Sequence, residues 1–203
     1  MNSVDTSALE QAQKKLTDRH VAEYATHLKI DPARTLCFIG GLDASKRIQF
    51  LADALELLWH RDQSIRLLVG GEGPQKKLLK LAFERGQAID LGYLDTDQKA
   101  LVMSASRAVA MPGRIGLVAV DALLGRTPII TTDWPYHAPE VEYLTEGISR
   151  FTTQDSTTEY VRGLIAATDE VPSKVPEEGA WTYPSLASMV TNYAIGVEKL
   201  LAV

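Results

Sequence analysis

The chain has 203 residues, 45% of them apolar and 23% charged, a composition that folds around a real core without disulfide or metal staples. Its 21 basic and 26 acidic residues leave a net charge of −5, which excludes a dedicated nucleic-acid binder with a basic face. The single cysteine, Cys37, excludes a disulfide framework and points to a reducing compartment. No apolar run reaches the roughly 18 residues of a membrane span, and the polar stretch from Met1 to Asp18 lacks a signal-peptide core. A soluble, cytoplasmic protein is expected.

The first thirty residues read as one helix. Ser7 and Glu10 form a capping-box pair, and Leu9, Ala12, Leu16, Val21, Tyr24 and Leu28 keep helical spacing. Asp31-Pro32 ends it, because the residue before proline avoids the α region. Thr35 to Ile39 is an apolar strand that runs into Gly40-Gly41. A helix through Ile48, Leu51, Leu55 and Leu58 follows, then a strand from Ile65 to Val69 that ends at Gly70-Gly71. Pro74 to Arg85 reads as a helix with proline in its first turn and Gly86 past its end. Ile89 to Leu91 is a short strand, and Asp95 or Thr96 caps the next helix. Strands at Ala108–Met111, Pro128–Thr131 and Ser149–Phe151 alternate with a helix at Leu117–Leu124 and a helical turn at Pro139–Leu144. Thr157 to Asp169 is helical. A Pro/Glu/Gly-rich linker, Pro172 to Pro184, leads to a final helix, Ser185 to Leu201, with a stripe at Leu186, Met189, Val190, Tyr193, Val197 and Leu200.

Continuous apolar strands alternating with amphipathic helices predict an α/β fold. It is a Rossmann-like three-layer sandwich with a mostly parallel sheet of about six strands, plus N- and C-terminal helices. The chain divides into a helical segment and linker at 1–34, the sandwich at 35–170, and a linker with a closing helix packing on it at 171–203.

In such sheets ligands bind beyond the carboxyl ends of the strands. Three loops there are glycine-rich: Gly40-Gly41, Gly70-Gly71-Glu72-Gly73 and Gly113-Arg-Ile-Gly116. Glycine lets the backbone approach a ligand, and a helix N-terminus offers N–H groups to an anion. One such loop is more simply a turn; three in register favour a ligand site. The dinucleotide fingerprint, the P-loop, His-Glu-x-x-His, Cys-x-x-Cys and Gly-x-Ser-x-Gly are all absent. That argues against a dehydrogenase-type dinucleotide binder, a P-loop nucleotidase, a zinc hydrolase and an elbow-serine hydrolase.

Four segments, in order, resemble the C-terminal, donor-binding domain of GT-B-fold glycosyltransferases of family 4 (glycosyl transferases group 1). They are Phe38-Ile-Gly-Gly-Leu-Asp-Ala-Ser-Lys-Arg47, Leu68-Val-Gly-Gly-Glu-Gly-Pro74, Leu91-Gly-Tyr-Leu94 and the run from Met111 to Pro128 that continues to His137-Ala-Pro-Glu-Val-Glu-Tyr143. The resemblance implies half of a retaining enzyme of hexosyltransferase type, active in polysaccharide biosynthesis. Such an enzyme moves a sugar from a UDP- or GDP-sugar to a carbohydrate or lipid-linked acceptor, with no separate cofactor and no metal. It also implies an N-terminal acceptor-binding domain or chain as partner, with peripheral membrane association through it. Transfer by the chain alone is then expected to be slight.

The residues implied for the donor are Gly40, Gly41, Lys46, Gly71, Glu72, Leu94, Gly113, Arg114, Gly116, Leu117, Val118 and Asp121. Lys46 stands at the family's phosphate-binding lysine, which on composition alone reads as a solvated lysine. The helix near Gly116-Leu117-Val118 supplies amides to the same diphosphate. Two departures stand out. The family carries two glutamates eight residues apart, and here the first is Gly113 and the second Asp121. Asp121 reads equally as a ribose acceptor or a solvated helical acid. The family's arginine in the first glycine loop is Gly41, so the missing charge falls to Arg114 or, less favoured, Arg47. No residue is assigned a catalytic role. A non-catalytic interaction module derived from such a domain is the alternative. His137 reads as structural or exposed, near the expected interdomain cleft with Glu140. Trp59 reads as core, Trp134-Pro-Tyr136 as a loop cluster for packing, a partner domain or sugar, and Asp95-Thr-Asp97 as a cap.

Overall fold

The computed structural model describes residues 5–169, 178–183 and 185–201. Six parallel strands run in the order β3-β2-β1-β4-β5-β6. They are β1 (Thr35–Ile39), β2 (Arg66–Gly70), β3 (Ala88–Gly92), β4 (Val109–Ala110), β5 (Ile129–Thr132) and β6 (Arg150–Thr153). All five residues of β1 are buried, as a strand covered by helices on both faces must be. Helices α3 (Ile48–Arg61), α4 (Lys80–Glu84) and α7 (Thr157–Asp169) pack together on one face. On the other, α5 (Thr96–Ser104) and α6 (Val118–Leu124) are overlaid by α1 (Ser7–Lys15), and α2 (Asp18–Leu28) also touches α5. The expected three-layer Rossmann-like sandwich is what forms.

The core is continuous across the layers. Phe38, Leu51, Leu68, Ile129 and Tyr160 are fully or almost fully buried, each large side chain stabilising the fold by about 1.5–3 kcal/mol through desolvation. Cys37 lies in this core, and burial pushes its thiol up to about 12, so it is inert as a nucleophile at neutral pH.

Four expectations for local structure change. The first thirty residues form two helices, broken at Leu16, whose backbone is extended. Thr17 restarts the helix with its own capping box: its hydroxyl accepts from the His20 amide, and its amide donates to His20 Nδ1. The Ser7–Glu10 box is replaced by Thr6, whose hydroxyl donates to Glu10 at 2.7 Å. The stretch after Pro74 is a 3₁₀ turn, Lys76–Leu79, leading into the short α4, with Gly86 at φ 71° past its end. Finally, α8 (Leu186–Leu201) leaves Leu186, Val190, Tyr193 and Leu200 exposed, so its stripe is not buried against the sandwich. Most of the linker, 170–177 and 184, lies outside the described residues.

Sheet order reverses between β1 and β4, which places a crevice at their carboxyl ends, the general ligand position in open α/β sheets.

Candidate functional site

The loops leaving β1, β2 and β4 lie directly on one another. A Cβ added at Gly71 would sit 1.9 Å from the Gly40 carbonyl oxygen, and one at Gly113 would sit 2.4 Å from the Lys46 carbonyl carbon. Gly71 also holds φ at 143°, a conformation open mainly to glycine. These glycines therefore serve the loop–loop contact first, and that contact shapes the crevice.

Two cavities open along this edge. One of about 370 Å³ collects Gly40, Gly41, Gly71, Glu72 and Leu94, all expected at the site, together with Tyr93 and Lys99. A smaller one of about 230 Å³ brings Leu117 and Asp121 beside Thr96 and the same Lys99. Lys99 was not singled out from sequence; a lysine four residues past a cap reads as solvated. Here its ammonium pairs with Asp121 at 2.9 Å, so Asp121 is neither free nor merely solvated. Glu72 pairs with Lys76 at 2.7 Å.

Lys46 lies between the first and third loops. Its stem passes Gly40, whose added Cβ would lie 3.6 Å from Lys46 Cε, and its ammonium donates to the Arg114 carbonyl. Burial and the neighbouring Arg114 lower its pKa, while Asp43 and Glu140 oppose the shift. Asp43 aims it: the carboxylate accepts from the Ser45 amide at 2.8 Å, the Ser45 hydroxyl at 2.6 Å and the Lys46 amide at 3.3 Å. The Ser45 hydroxyl is the chief reason its pKa is lowered. The Asp-x-Ser-Lys order is an Asx-turn signal that sequence reading passed over.

Arg47 lines neither of these cavities. Its backbone is left-handed at φ 56°. Its guanidinium binds Asp155 at 2.5 Å and the Thr132 hydroxyl at 3.1 Å, and stacks 4.2 Å from the Phe50 ring. Of the two candidates for the missing charge, Arg114 alone is exposed. Its amide donates to the Ser45 carbonyl at 2.8 Å, which seals the third loop onto the first.

Gly116 and Leu117 open α6, where the Ala119 amide already bonds the Gly116 carbonyl at 2.9 Å. The Leu117 and Val118 amides that precede it have no acceptor within the helix, as in the first turn of any helix. His137 holds the loop from behind. The Ile115 amide donates to its Nδ1 at 3.2 Å, and its Nε2 faces the Thr132 carbonyl at 3.2 Å. That pairing selects the neutral, Nε2-protonated ring. Burial lowers its pKa, and Arg150, Lys46 and Arg47 add to the shift against the Thr132 bond. His137 is thus structural, as one of its two readings from sequence had it, and what it holds is this site.

The family model for glycosyl transferases group 1 matches residues 33–169. The chain belongs to that family. Among curated proteins it is 21% identical over 133 residues to alpha-D-kanosaminyltransferase from Streptomyces kanamyceticus, covering 62% of this chain and 34% of that protein. Among solved structures, Anabaena Alr3699/HepE in complex with UDP is 17% identical with a TM-score of 0.70, covering 100% of this chain and 56% of that one. A glycosyltransferase from Rickettsia africae ESF-5 gives 14%, a TM-score of 0.71, and coverage of 98% and 56%. These likenesses establish the GT-B donor-domain fold. The chain spans about a third of the curated relative and little more than half of these two structures.

At Gly113 the loop as it folds here leaves no room for a side chain. The Lys46 backbone occupies the space that a Cβ would take.

Proposed function

We propose that the chain is the donor half of a retaining glycosyltransferase that takes a nucleoside-diphosphate sugar. The observation that carries this reading is the crevice at the switch point, where Lys46 and the first amides of α6 flank two cavities joined by Lys99. The nucleoside occupies the cavity faced by Gly40, Gly41, Tyr93 and Leu94, and the Lys99–Asp121 pair meets the ribose hydroxyls. The diphosphate lies between the Lys46 ammonium, which keeps two further protons for phosphate oxygens, and the amides of Gly116 to Val118. As the glycosidic bond breaks, negative charge grows on the diphosphate, and these fixed donors stabilise it without reorganising. Arg114 adds a mobile cation at the rim. Charge neutralisation by protein groups makes binding independent of a divalent metal.

The acceptor, a glycan or lipid-linked saccharide, is held by a further domain or chain, and this one alone transfers little. Calorimetry with UDP, GDP and their sugars tests the reading, with EDTA added in a parallel series. Saturable heat unaffected by EDTA is expected; no heat and no thermal shift with any of them sinks it. Lys46→Ala should weaken binding roughly tenfold or more, the worth of a charge-assisted hydrogen bond. An unchanged affinity removes Lys46 from the site.

A second reading, a non-catalytic module descended from such a domain, is favoured by one feature: Gly113 carries no carboxylate and has no room for one. Nucleotide binding without any transfer, even when an acceptor domain is supplied, separates it from the first.

A further inference from the structure

Successive residues of the first glycine loop hold successive residues of the third. The Ser45 carbonyl accepts the Arg114 amide at 2.8 Å, and the Lys46 ammonium donates to the Arg114 carbonyl. Arg47 reaches the Pro112 carbonyl at 3.3 Å. Gly113 lies between these grips, pressed against the Lys46 backbone.

Pro112 is buried and has no amide hydrogen, so its carbonyl is the only backbone group that can tie the loop there. Two donors meet it. The Thr132 hydroxyl bonds it at 3.2 Å, and Arg47 Nη1 bonds both that carbonyl and the hydroxyl, the latter at 3.1 Å. The same nitrogen binds Asp155 at 2.5 Å. One guanidinium thus joins the third loop, the end of β5 and the segment between β6 and α7.

The Arg47 backbone is left-handed, at φ 56° and ψ 47°. A residue with a Cβ adopts that conformation at a cost, and keeps it only where its surroundings over-determine it. Here they do. Its amide donates to the Ala44 carbonyl at 3.0 Å, and its carbonyl accepts the Leu51 amide at 3.0 Å. Phe50 and Trp134 flank the guanidinium, their ring centroids 4.2 and 5.5 Å from Cζ. Phe50 is braced in turn by the buried Tyr160, edge-on at 5.6 Å. Only 19% of the Arg47 side chain is exposed, so water competes for these bonds less than at an open surface.

On the proposed function Lys46 turns to the diphosphate. Arg47 lines neither donor cavity, so its grip on Pro112 is not given up to a ligand. We infer that Arg47 is a positioning residue, which keeps Pro112 and Gly113 in place while Lys46 engages the diphosphate. The ligand in that statement rests on the donor reading; the grip on the loop does not.

The test uses the 203-residue chain and three variants. Arg47→Gly relieves the left-handed backbone and removes the guanidinium. Arg47→Lys keeps the charge and the backbone but not the planar fork, and Asp155→Asn removes the partner's charge. Hydrogen exchange of residues 113–118, followed by mass spectrometry, reads the loop without any ligand, and calorimetry reads UDP. Arg47→Gly should speed exchange there several-fold while Tm stays close to the parent's, and weaken UDP about three- to tenfold, as a lost hydrogen bond does. Arg47→Lys should fall between the two, and Asp155→Asn should move both readouts the same way by about twofold. Guanidinium ion, at an ionic strength matched with sodium chloride, should restore part of the Arg47→Gly loss and leave the parent unchanged. Parental exchange rates at 113–118 in the variants overturn the inference. So does weaker UDP binding without rescue and with a matching fall in Tm, which marks a packing role alone. Should Arg47→Gly fail to fold, the other two variants carry the same readouts. A parent chain that binds no UDP defeats the donor reading, and the exchange measurement still decides the grip.

Discussion

Replacing Gly113 is the most searching perturbation of the donor loop. A Cβ there would lie 2.4, 2.6 and 2.7 Å from the Lys46 carbonyl carbon, oxygen and Cα. All three are backbone atoms, so no rotamer change relieves the clash. The φ of Gly113 is not left-handed, so alanine has no conformational objection to the position and the penalty is steric alone. Overpacking of this kind costs about 1–3 kcal/mol, and a domain of this size loses about 2–4 °C of Tm per kcal/mol. The fall expected for Gly113→Ala is therefore roughly 2–12 °C. On the proposed function, the same shift would pull Lys46 from the diphosphate and weaken UDP binding about ten- to a hundredfold. Gly113→Glu, which restores the residue usual in the family, should lower both quantities at least as far rather than recover a donor-sugar contact. Differential scanning fluorimetry and calorimetry on the two variants decide it. A Tm within a degree of the parent with UDP affinity kept or improved would refute the steric account of the third loop.

The remaining expectations concern acid stability and the core. His137 is held neutral with its pKa below the ordinary 6.5, so the unfolded chain binds more protons than the folded one as pH drops. Its contribution to stability is present above pH 6.5 and lost as pH falls from there toward the lowered folded value. His137→Gln should flatten that limb of a denaturant-midpoint profile between pH 7.5 and 5, and an unchanged slope would remove His137 as its source. Leu51, fully buried in α3 against the sheet, should cost about 2–5 kcal/mol when cut to alanine, seen as a lower urea midpoint with UDP affinity kept at temperatures where the variant is folded.

Much of the candidate site's geometry was legible because close backbone approach leaves glycine in the sequence. Gly40, Gly41 and Gly71 mark where loops meet at a crevice, and the cavity formed there contains them. Asp95 caps α5, with its carboxylate taking the Gln98 amide at 2.8 Å, as its place before a helical pattern implied. Pattern failed where a short-range rule lost to a neighbouring one. Periodicity ran through Leu16, yet Thr17 offered a better helix start, and the chain took the break.

By itself the amino-acid sequence determined the layers and the glycine-rich edge, because short apolar runs rich in branched residues and bounded by glycine suit buried strands with turns at their ends. It did not determine which charges face the crevice. Lys46 and Arg47 are adjacent and equally basic, yet one lies at the Arg114 carbonyl and the other at Asp155. A left-handed backbone at Arg47, set by how α3 leaves the loop, sends the two cations to opposite sides. Nor did the sequence show that the close approach at Gly113 is to the Lys46 backbone. Such choices depend on contacts between segments far apart in the chain, 108 residues for Arg47 and Asp155, and only the folded structure makes them.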